Sequence, residues 1–307
     1  MNSTSQKILI SGGSGLLGTA LRQALAADGA MILQLVRRQP ASAGELKWDP
    51  EDSLPVGAPE RLEGFTSAVH LSGSNLAGRR WTPAYKEQIR RSRVDSTRTL
   101  ATALGGLRKP PQAFLVASAC GIYGDRKDEI LDEQSSPGKG FLAEICQEWE
   151  AAARPAVDAG IRVVHLRFGV VLTPAGGALG KMLPLFRLGV GGRLGSGKQW
   201  TSWISLADAV AAILFAMDNS ALMGPLNLTA PEPVTNATFT RALARAVRRP
   251  AILPAPAIAL RMFLGEMANE ALLASERAVP AKLLTAEFQF AHPTIDEALT
   301  ATLNPRK

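Results

Sequence analysis

Apolar residues along this chain fall into short, almost uninterrupted runs that alternate with longer stretches of amphipathic spacing. Residues 7–11, 31–36, 67–71, 113–117 and 162–167 are the short runs. Near-continuous apolarity over so few residues is the pattern of strands covered on both faces. Residues 16–27, 83–104, 141–158 and 205–217 carry helix-length amphipathic patterns between and after them. Strand and helix taking turns in this way predict an α/β fold built on a doubly wound parallel sheet. A short strand around residues 46–48 is expected to extend it. After Leu172 the rhythm changes. Glycines crowd residues 176–197, Trp200 and Trp203 follow, and prolines punctuate the chain beyond Pro225. Residues 241–249 read as the end of a helix begun near Thr235. Residues 172–307 are therefore expected to form a smaller C-terminal α/β cap, mainly on the substrate side, with some pieces returning to the core formed by residues 1–171.

Composition narrows the class. At 307 residues and 46% hydrophobic content the chain can bury a large core. No apolar run reaches the roughly 20 residues needed to span a bilayer. The start, Met1 to Lys7, is short and polar, so a secretory signal is not expected and the expected location is cytoplasmic. Cys120 and Cys146 are the two cysteines, which leaves no disulfide framework and no cysteine zinc site. The histidines, His70, His165 and His292, have no metal-ligand spacing, so no metal is expected. Net charge is +7, but the basic residues are dispersed, and even the densest stretch, residues 79–98, lacks an aromatic platform. Nucleic acid is not expected as a partner. An anionic small molecule accounts for the arginines equally well.

The sharpest signal is Gly12-x-x-Gly15-x-x-Gly18, directly after the first strand and at the start of the first helix. In that context Gly12 permits the tight turn, Gly15 lets a pyrophosphate approach the backbone, and Gly18 allows helix and strand to pack closely. Ser14, Leu16 and Leu17 complete the loop, whose free N–H groups and helix dipole favour phosphate. This is the fingerprint of a Rossmann-type dinucleotide site. The second strand then ends in Arg37-Arg38. An NAD site places a carboxylate about 20 residues past the loop to hold the ribose 2′-hydroxyl. A carboxylate repels a 2′-phosphate, whereas a guanidinium forks onto it. The expected cofactor is NADP(H).

At this point the chain resembles the extended short-chain dehydrogenase/reductase superfamily. Val69-His70-Leu71-Ser72-Gly73 is similar to its fourth-strand motif, and the segment from Phe114 through Ser118 to Tyr123-Gly124 is similar to its serine-bearing fifth strand. More narrowly, Asn75 to Trp81, Ser92-Arg93 to Thr97, Trp149-Glu150, Gly195 to Trp203 and Pro280 to Leu284 resemble the "epimerase family" group with its own C-terminal domain, whose members carry the label of nucleoside-diphosphate-sugar epimerase. The resemblance implies that Arg38, with Arg37 beside it, contacts the cofactor 2′-phosphate. It implies that Leu71, Ser72 and Gly73 run along the cofactor. Arg93 replaces the Asn of most extended members and is expected to reach back to the cofactor; a solvated helix charge is the competing reading.

The superfamily's usual chemistry needs Tyr-x-x-x-Lys on one helix face, the tyrosine exchanging the proton and the lysine lowering its pKa. The expected helix, residues 141–158, contains neither. Its matching positions read Leu142 and Cys146, or Phe141 and Ile145 in the adjacent register. Tyr123-x-x-x-Lys127 matches only formally, because Gly124 and Asp125 favour a turn. The catalytic candidates are therefore Ser118, for a carbonyl oxygen, and Tyr123, with Glu150 and Cys146 as further polar groups, each weighed against a structural role. Residues 192–198 mimic a P-loop, but Gln199 stands where Ser or Thr is needed and no strand leads in. Arg193, Lys198, Gln199, Trp200 and Trp203 are instead expected either to face a ligand or to anchor the loop.

The resulting expectation is an NADP(H)-dependent oxidoreductase or epimerase-like enzyme on a small carbonyl or sugar-nucleotide substrate. The alternative is an NADPH-binding regulatory protein without turnover. A small-molecule substrate is the expected partner, neither membrane nor nucleic acid is, and a homodimer is left open.

Overall fold

A computed structural model describes residues 6–50 and 59–303, so the first five residues of the polar start lie outside it. The chain opens with strand β1 (Lys7–Ser11), helix α1 (Leu16–Ala27), β2 (Met31–Val36), β3 (Glu45–Lys47) and β4 (Ser67–His70). Helix α2 (Pro83–Gly105) follows, then β5 (Ala113–Ala119), a 3-10 turn (Cys120–Tyr123) and β6 (Ile130–Leu131). Next come α3 (Phe141–Ala151), α4 (Arg154–Asp158), β7 (Arg162–Phe168) and β8 (Val170–Leu172). The remainder is α5 (Gly177–Arg187), β9 (Trp200–Thr201), β10 (Trp203–Ser205), α6 (Leu206–Asp218) and β11 (Gly224–Leu228). It ends with β12 (Val234–Thr235), α7 (Asn236–Val247), α8 (Ala257–Leu264), a π-helical turn (Ala268–Leu272), β13 (Arg277–Ala278), α9 (Ala281–Thr285) and α10 (Ile295–Leu303).

A seven-stranded sheet in the order β3-β2-β1-β4-β5-β7-β11 organises the molecule. Every pairing in it is parallel. Its strands are apolar on both faces, as the sequence pattern requires. Ile8 and Ile10 of β1 join Leu21 and Leu25 of α1 and Ile213 of α6 on one side. Leu9, between them, joins Leu100 and Leu104 of α2 and Trp149 of α3 on the other. Period-two alternation thus feeds two cores. The chain runs outward from β1 to β3, then returns to β4 on the opposite side of β1. Helices diverge at that reversal, and a crevice opens at the C-terminal ends of β1 and β4.

Beyond residue 171 the chain does not abandon the sheet: α6 packs on it and β11 forms its edge. A separate core gathers Leu179 and Phe186 of α5, Trp203, Phe239 and Leu243 of α7, and Leu299 of α10. Two expected helices differ in detail. Residues 141–158 break at Ala152–Ala153 into α3 and α4, because Pro155 has no N–H to continue the ladder. Ser205 stands just outside α6 as its N-cap, accepting the Asp208 N–H at 3.0 Å. Among the described residues no helix is long and apolar enough to cross a membrane.

Candidate functional site

The phosphate loop is shaped by what its glycines exclude. Gly12 has φ +72°, and a Cβ there would stand 2.6 Å from the Leu71 carbonyl carbon and 2.7 Å from Ser72 N. The loop therefore lies directly on the end of β4. A Cβ on Gly18 would overlap the Gly12 carbonyl oxygen, so the first turn of α1 presses against the loop. At Gly15 the nearest such contact is 3.4 Å, which leaves its outer side open. Gly15 is the N-cap of α1 and offers no side-chain cap. The N–H groups of Leu16, Leu17 and Gly18 consequently have no acceptor within the helix. Gly12, Gly15, Leu16, Leu17 and Gly18 border a cavity of about 440 Å³, while Ser14 is exposed at the tip of the loop. Ser72 and Gly73 lie beside the loop on the β4 side, outside that cavity wall, while Leu71 is part of it.

Beneath the loop, His70 at the end of β4 bridges Ser11 of β1 and Ser96 of α2 through its two ring nitrogens. The ring is fully buried, and burial pushes its pKa down to about 3. It is a neutral structural strut. His165 is less satisfied: its Nδ1 has no partner among the described residues.

Arg37 and Arg38 stand exposed past the tip of β2. Arg38 is already engaged: its guanidinium forks onto both Glu45 oxygens, at 2.6 and 2.8 Å, and donates to Gln39 O. Hydrogen bonds and charge from each partner raise the Arg38 pKa and lower that of Glu45. An anion arriving here meets a guanidinium whose direction is set by Glu45. Arg22 adds a donor nearby, its Nε reaching Gly13 O at 2.9 Å. Sequence reading missed both residues, since neither belongs to a motif.

Arg93 is buried in the cavity wall. It donates to Ser74 O at 2.9 Å and Ile89 O at 3.2 Å and lies 5.2 Å from the Trp149 ring centroid. It forms no ion pair among the described residues. Gly73 makes room for it, since a Cβ there would come within 3.3 Å of its guanidinium carbon. Burial lowers its pKa, yet an arginine keeps its charge. The cavity thus holds a desolvated cation without an anion.

Deeper in, Ser118 of β5 lines the cavity and donates to Glu150 Oε1 at 2.8 Å. Glu150 is forked by Arg167 of β7 at 2.8 Å on each oxygen. Arg167 also donates to the Tyr123 hydroxyl at 3.0 Å, which lies 2.7 Å from Asn227 Oδ1 and 2.9 Å from Asp132 O. A closed buried network therefore backs the wall. Tyr123 belongs to that network and not to the cavity lining, and burial raises its pKa. Lys127 sits with φ +53° in the following turn, so it and Tyr123 share no helix face. Of the positions that match the Tyr-x-x-x-Lys pair, Leu142 and Cys146 of one register both line the cavity, as does Ile145 of the other. Burial pushes the Cys146 thiol up to about 12, so it is not a thiolate near neutrality.

The opposite wall comes from the C-terminal segment, through two glutamates that no sequence motif marked. Glu270 and Glu276 both line the cavity. Glu270 caps α3, accepting the Leu142 N–H at 3.1 Å. Glu276 precedes β13, which pairs with β6 and so draws this segment over the site. Burial, with the charges of Glu270 and Asp125, pushes the Glu276 carboxyl up to about 8. Of the glycine-rich loop residues, Trp200 reaches the cavity. Arg193, Lys198, Gln199 and Trp203 do not: Gln199 ties Leu194 O to Leu272 O, and Trp203 is a core anchor bonded to Glu232 O.

Comparison with known proteins fits this geometry. The profile of the "NAD dependent epimerase/dehydratase family" matches residues 8–228, and that of a domain of unknown function, DUF1731, matches residues 255–302. The chain is 49% identical over 299 residues to "Epimerase family protein Mb2239" of Mycobacterium bovis, covering 97% of this chain and 98% of that protein. The crystal structure of human epimerase family protein SDR39U1 (isoform2) with NADPH superposes with a TM-score of 0.89 at 32% identity, covering 98% of this chain and 100% of that one. A nucleoside-diphosphate sugar epimerase from Corynebacterium glutamicum gives 0.80 at 36% identity, covering 98% of this chain and 58% of that one.

Proposed function

The chain belongs to the NAD dependent epimerase/dehydratase family, and on that premise we propose that it is an NADP(H)-dependent oxidoreductase acting on a small carbonyl or sugar-nucleotide substrate. The observation that carries the proposal is one continuous cavity running from the open N-terminus of α1 to Ser118. The residues suit the dinucleotide. Gly15 leaves room at unpaired N–H groups for a pyrophosphate. Arg38 and Arg37 meet the 2′-phosphate at the tip of β2, and Arg93 supplies a buried positive charge facing the middle of the cavity. The human relative crystallised with NADPH supports the choice of the phosphorylated cofactor. The bound cofactor supplies hydride exchange at its nicotinamide ring.

The chain's own residues supply position and polarity. Ser118, its proton directed to Glu150, turns lone pairs toward the cavity and accepts from a substrate hydroxyl. The apolar side chains of Leu142 and Ile145 keep water from the reacting carbon. Trp200 closes the substrate side, its ring stacked on Arg277 at 4.1 Å and its Nε1 held by Asp128. The name of the Corynebacterium glutamicum neighbour favours a nucleotide sugar among carbonyl substrates.

The absence of both tyrosine and lysine from α3 favours a second reading: an NADPH-responsive protein without turnover. Calorimetry and NADPH oxidation separate the two. The enzyme reading expects micromolar NADPH binding, weaker NADH binding, and oxidation in the presence of at least one member of an aldehyde, ketone and nucleotide-sugar panel. Tight binding with no oxidation across the panel leaves the second reading. Preference for NADH overturns the cofactor assignment.

A further inference from the structure

A site that interconverts a carbonyl and a carbinol needs a group that moves a proton at oxygen. Around this cavity most polar side chains are committed elsewhere. The Ser118 proton goes to Glu150, and Glu150 is forked by Arg167. Trp200 Nε1 donates to Asp128, and Glu270 accepts the Leu142 N–H. Glu276 is different. Its carboxyl makes no hydrogen bond and no ion pair among the described residues, although its backbone is pinned on both sides. Its N–H donates to Trp200 O at 3.1 Å, and its carbonyl accepts the Ser202 hydroxyl at 2.7 Å. The side chain then extends into the cavity. A Cβ built on Gly121 would lie 3.4 Å from Leu142 Cβ and 4.0 Å from Glu276 Oε1. The carboxyl and Leu142 therefore both border the space over Gly121, in the cavity wall that α3 contributes.

We propose that Glu276, delivered from the C-terminal domain, is the catalytic acid of this cavity, in place of the absent tyrosine. The inference rests on the oxidoreductase reading above. As the substrate carbon accepts hydride from the reduced dinucleotide, the π pair of its C=O bond forms a new O–H bond with the Glu276 proton. Glu276 is left as a carboxylate and regains a proton from solvent after product leaves. In the oxidative direction the carboxylate takes the carbinol proton. The surroundings suit the acid form. Glu270 faces it from the π-helical turn and Asp125 from the loop after the 3-10 turn, both acidic. The Cys120 and Cys146 thiols face it from that turn and from α3, and burial raises both pKa values. The Arg93 charge acts on the Cys146 thiol. With its carboxyl pushed up to about 8, Glu276 is a proton donor at neutral pH.

Infrared difference spectroscopy of the wild-type protein and Glu276→Gln, from acid to alkaline pH, tests this directly. The wild type should show a protonated carboxyl band near neutrality that Glu276→Gln lacks, bleaching with a midpoint near about 8. Glu276→Gln should bind NADPH as the wild type does, yet reduce the best carbonyl of the panel at least about 10²-fold more slowly. The wild-type rate should fall about tenfold per pH unit above that midpoint. Glu276→Asp, keeping an acid on a shorter stem, should retain a band with a changed midpoint and part of the rate. Identical bands in wild type and Glu276→Gln near neutrality overturn the proposal, as does a wild-type rate in Glu276→Gln. A wild-type protein that fails to bind NADPH removes the oxidoreductase reading instead, while the carboxyl band still decides whether Glu276 holds a proton.

Discussion

The two ends of the cavity are built by different means. At the phosphate end the working parts are backbone: a loop pressed on β4, unpaired N–H groups at the start of α1, and glycines that make both possible. At the carboxyl end they are side chains brought together from segments far apart in the chain, with β13 laid beside β6. Each end holds one desolvated titratable side chain, and the two lean in opposite directions. His70 is held neutral with its pKa lowered to about 3, and Glu276 is held neutral with its pKa raised to about 8. Neutrality at both places is what burial without a counter-charge imposes. The difference teaches that sensitivity to acid and sensitivity to alkali can be set by separate residues at the two ends.

The largest effect follows from that opposition. The His70 pKa is depressed below its unfolded value of 6.5, so its contribution is present above that value and lost as pH falls toward about 3. The Glu276 pKa is raised above its unfolded value of 4.5, so its contribution is complete below that value and lost as pH rises through about 8. Each arm is expected to be on the order of several kcal/mol. Denaturant melts across pH should show His70→Asn losing the acid arm and Glu276→Gln losing the alkaline arm. A single variant that removed both arms would break the comparison.

Next in size is the backbone end. Gly18→Val drives a Cβ into the Gly12 carbonyl and should cost about 1–3 kcal/mol of stability. Calorimetry should record NADPH affinity about 10²-fold weaker, because the same strain moves the N–H groups off their ligand. Arg38→Ala should weaken NADPH by about 10- to 100-fold while leaving NADH within a few-fold, the loss of one forked charge-assisted contact. Equal losses for both dinucleotides would place the 2′-phosphate elsewhere. Ser118→Ala should be the mildest, slowing turnover by about tenfold or less with NADPH affinity unchanged, since Glu150 keeps its Arg167 fork.

Much of the frame was legible in the residues. Strands β1 and β2 and helix α1 coincide with their apolar runs, because strands covered on both faces leave no room for polar interruption. β5 runs on to Ala119 and β7 to Phe168, slightly past the expected ends. Helix 141–158 misled because its amphipathic pattern continues across Pro155, whose ring and missing N–H reset the turn. Tyr123 and Ser118 belong to one strand-and-turn segment, yet their side chains part company, one into a buried network and the other to the cavity.

By itself the chain determined its sheet, its phosphate loop and the arginines after β2, because these depend on local spacing and on backbone geometry that only certain residues tolerate. Tertiary structure alone decided that Glu45 aims Arg38, that Arg93 is buried with no anionic partner among the described residues, and that Glu276 enters the cavity with its carboxyl unpartnered among them. Those are facts about what lies within a few ångströms across distant segments. Desolvation and charge, the forces that set a side chain's protonation, are defined only once those segments have met.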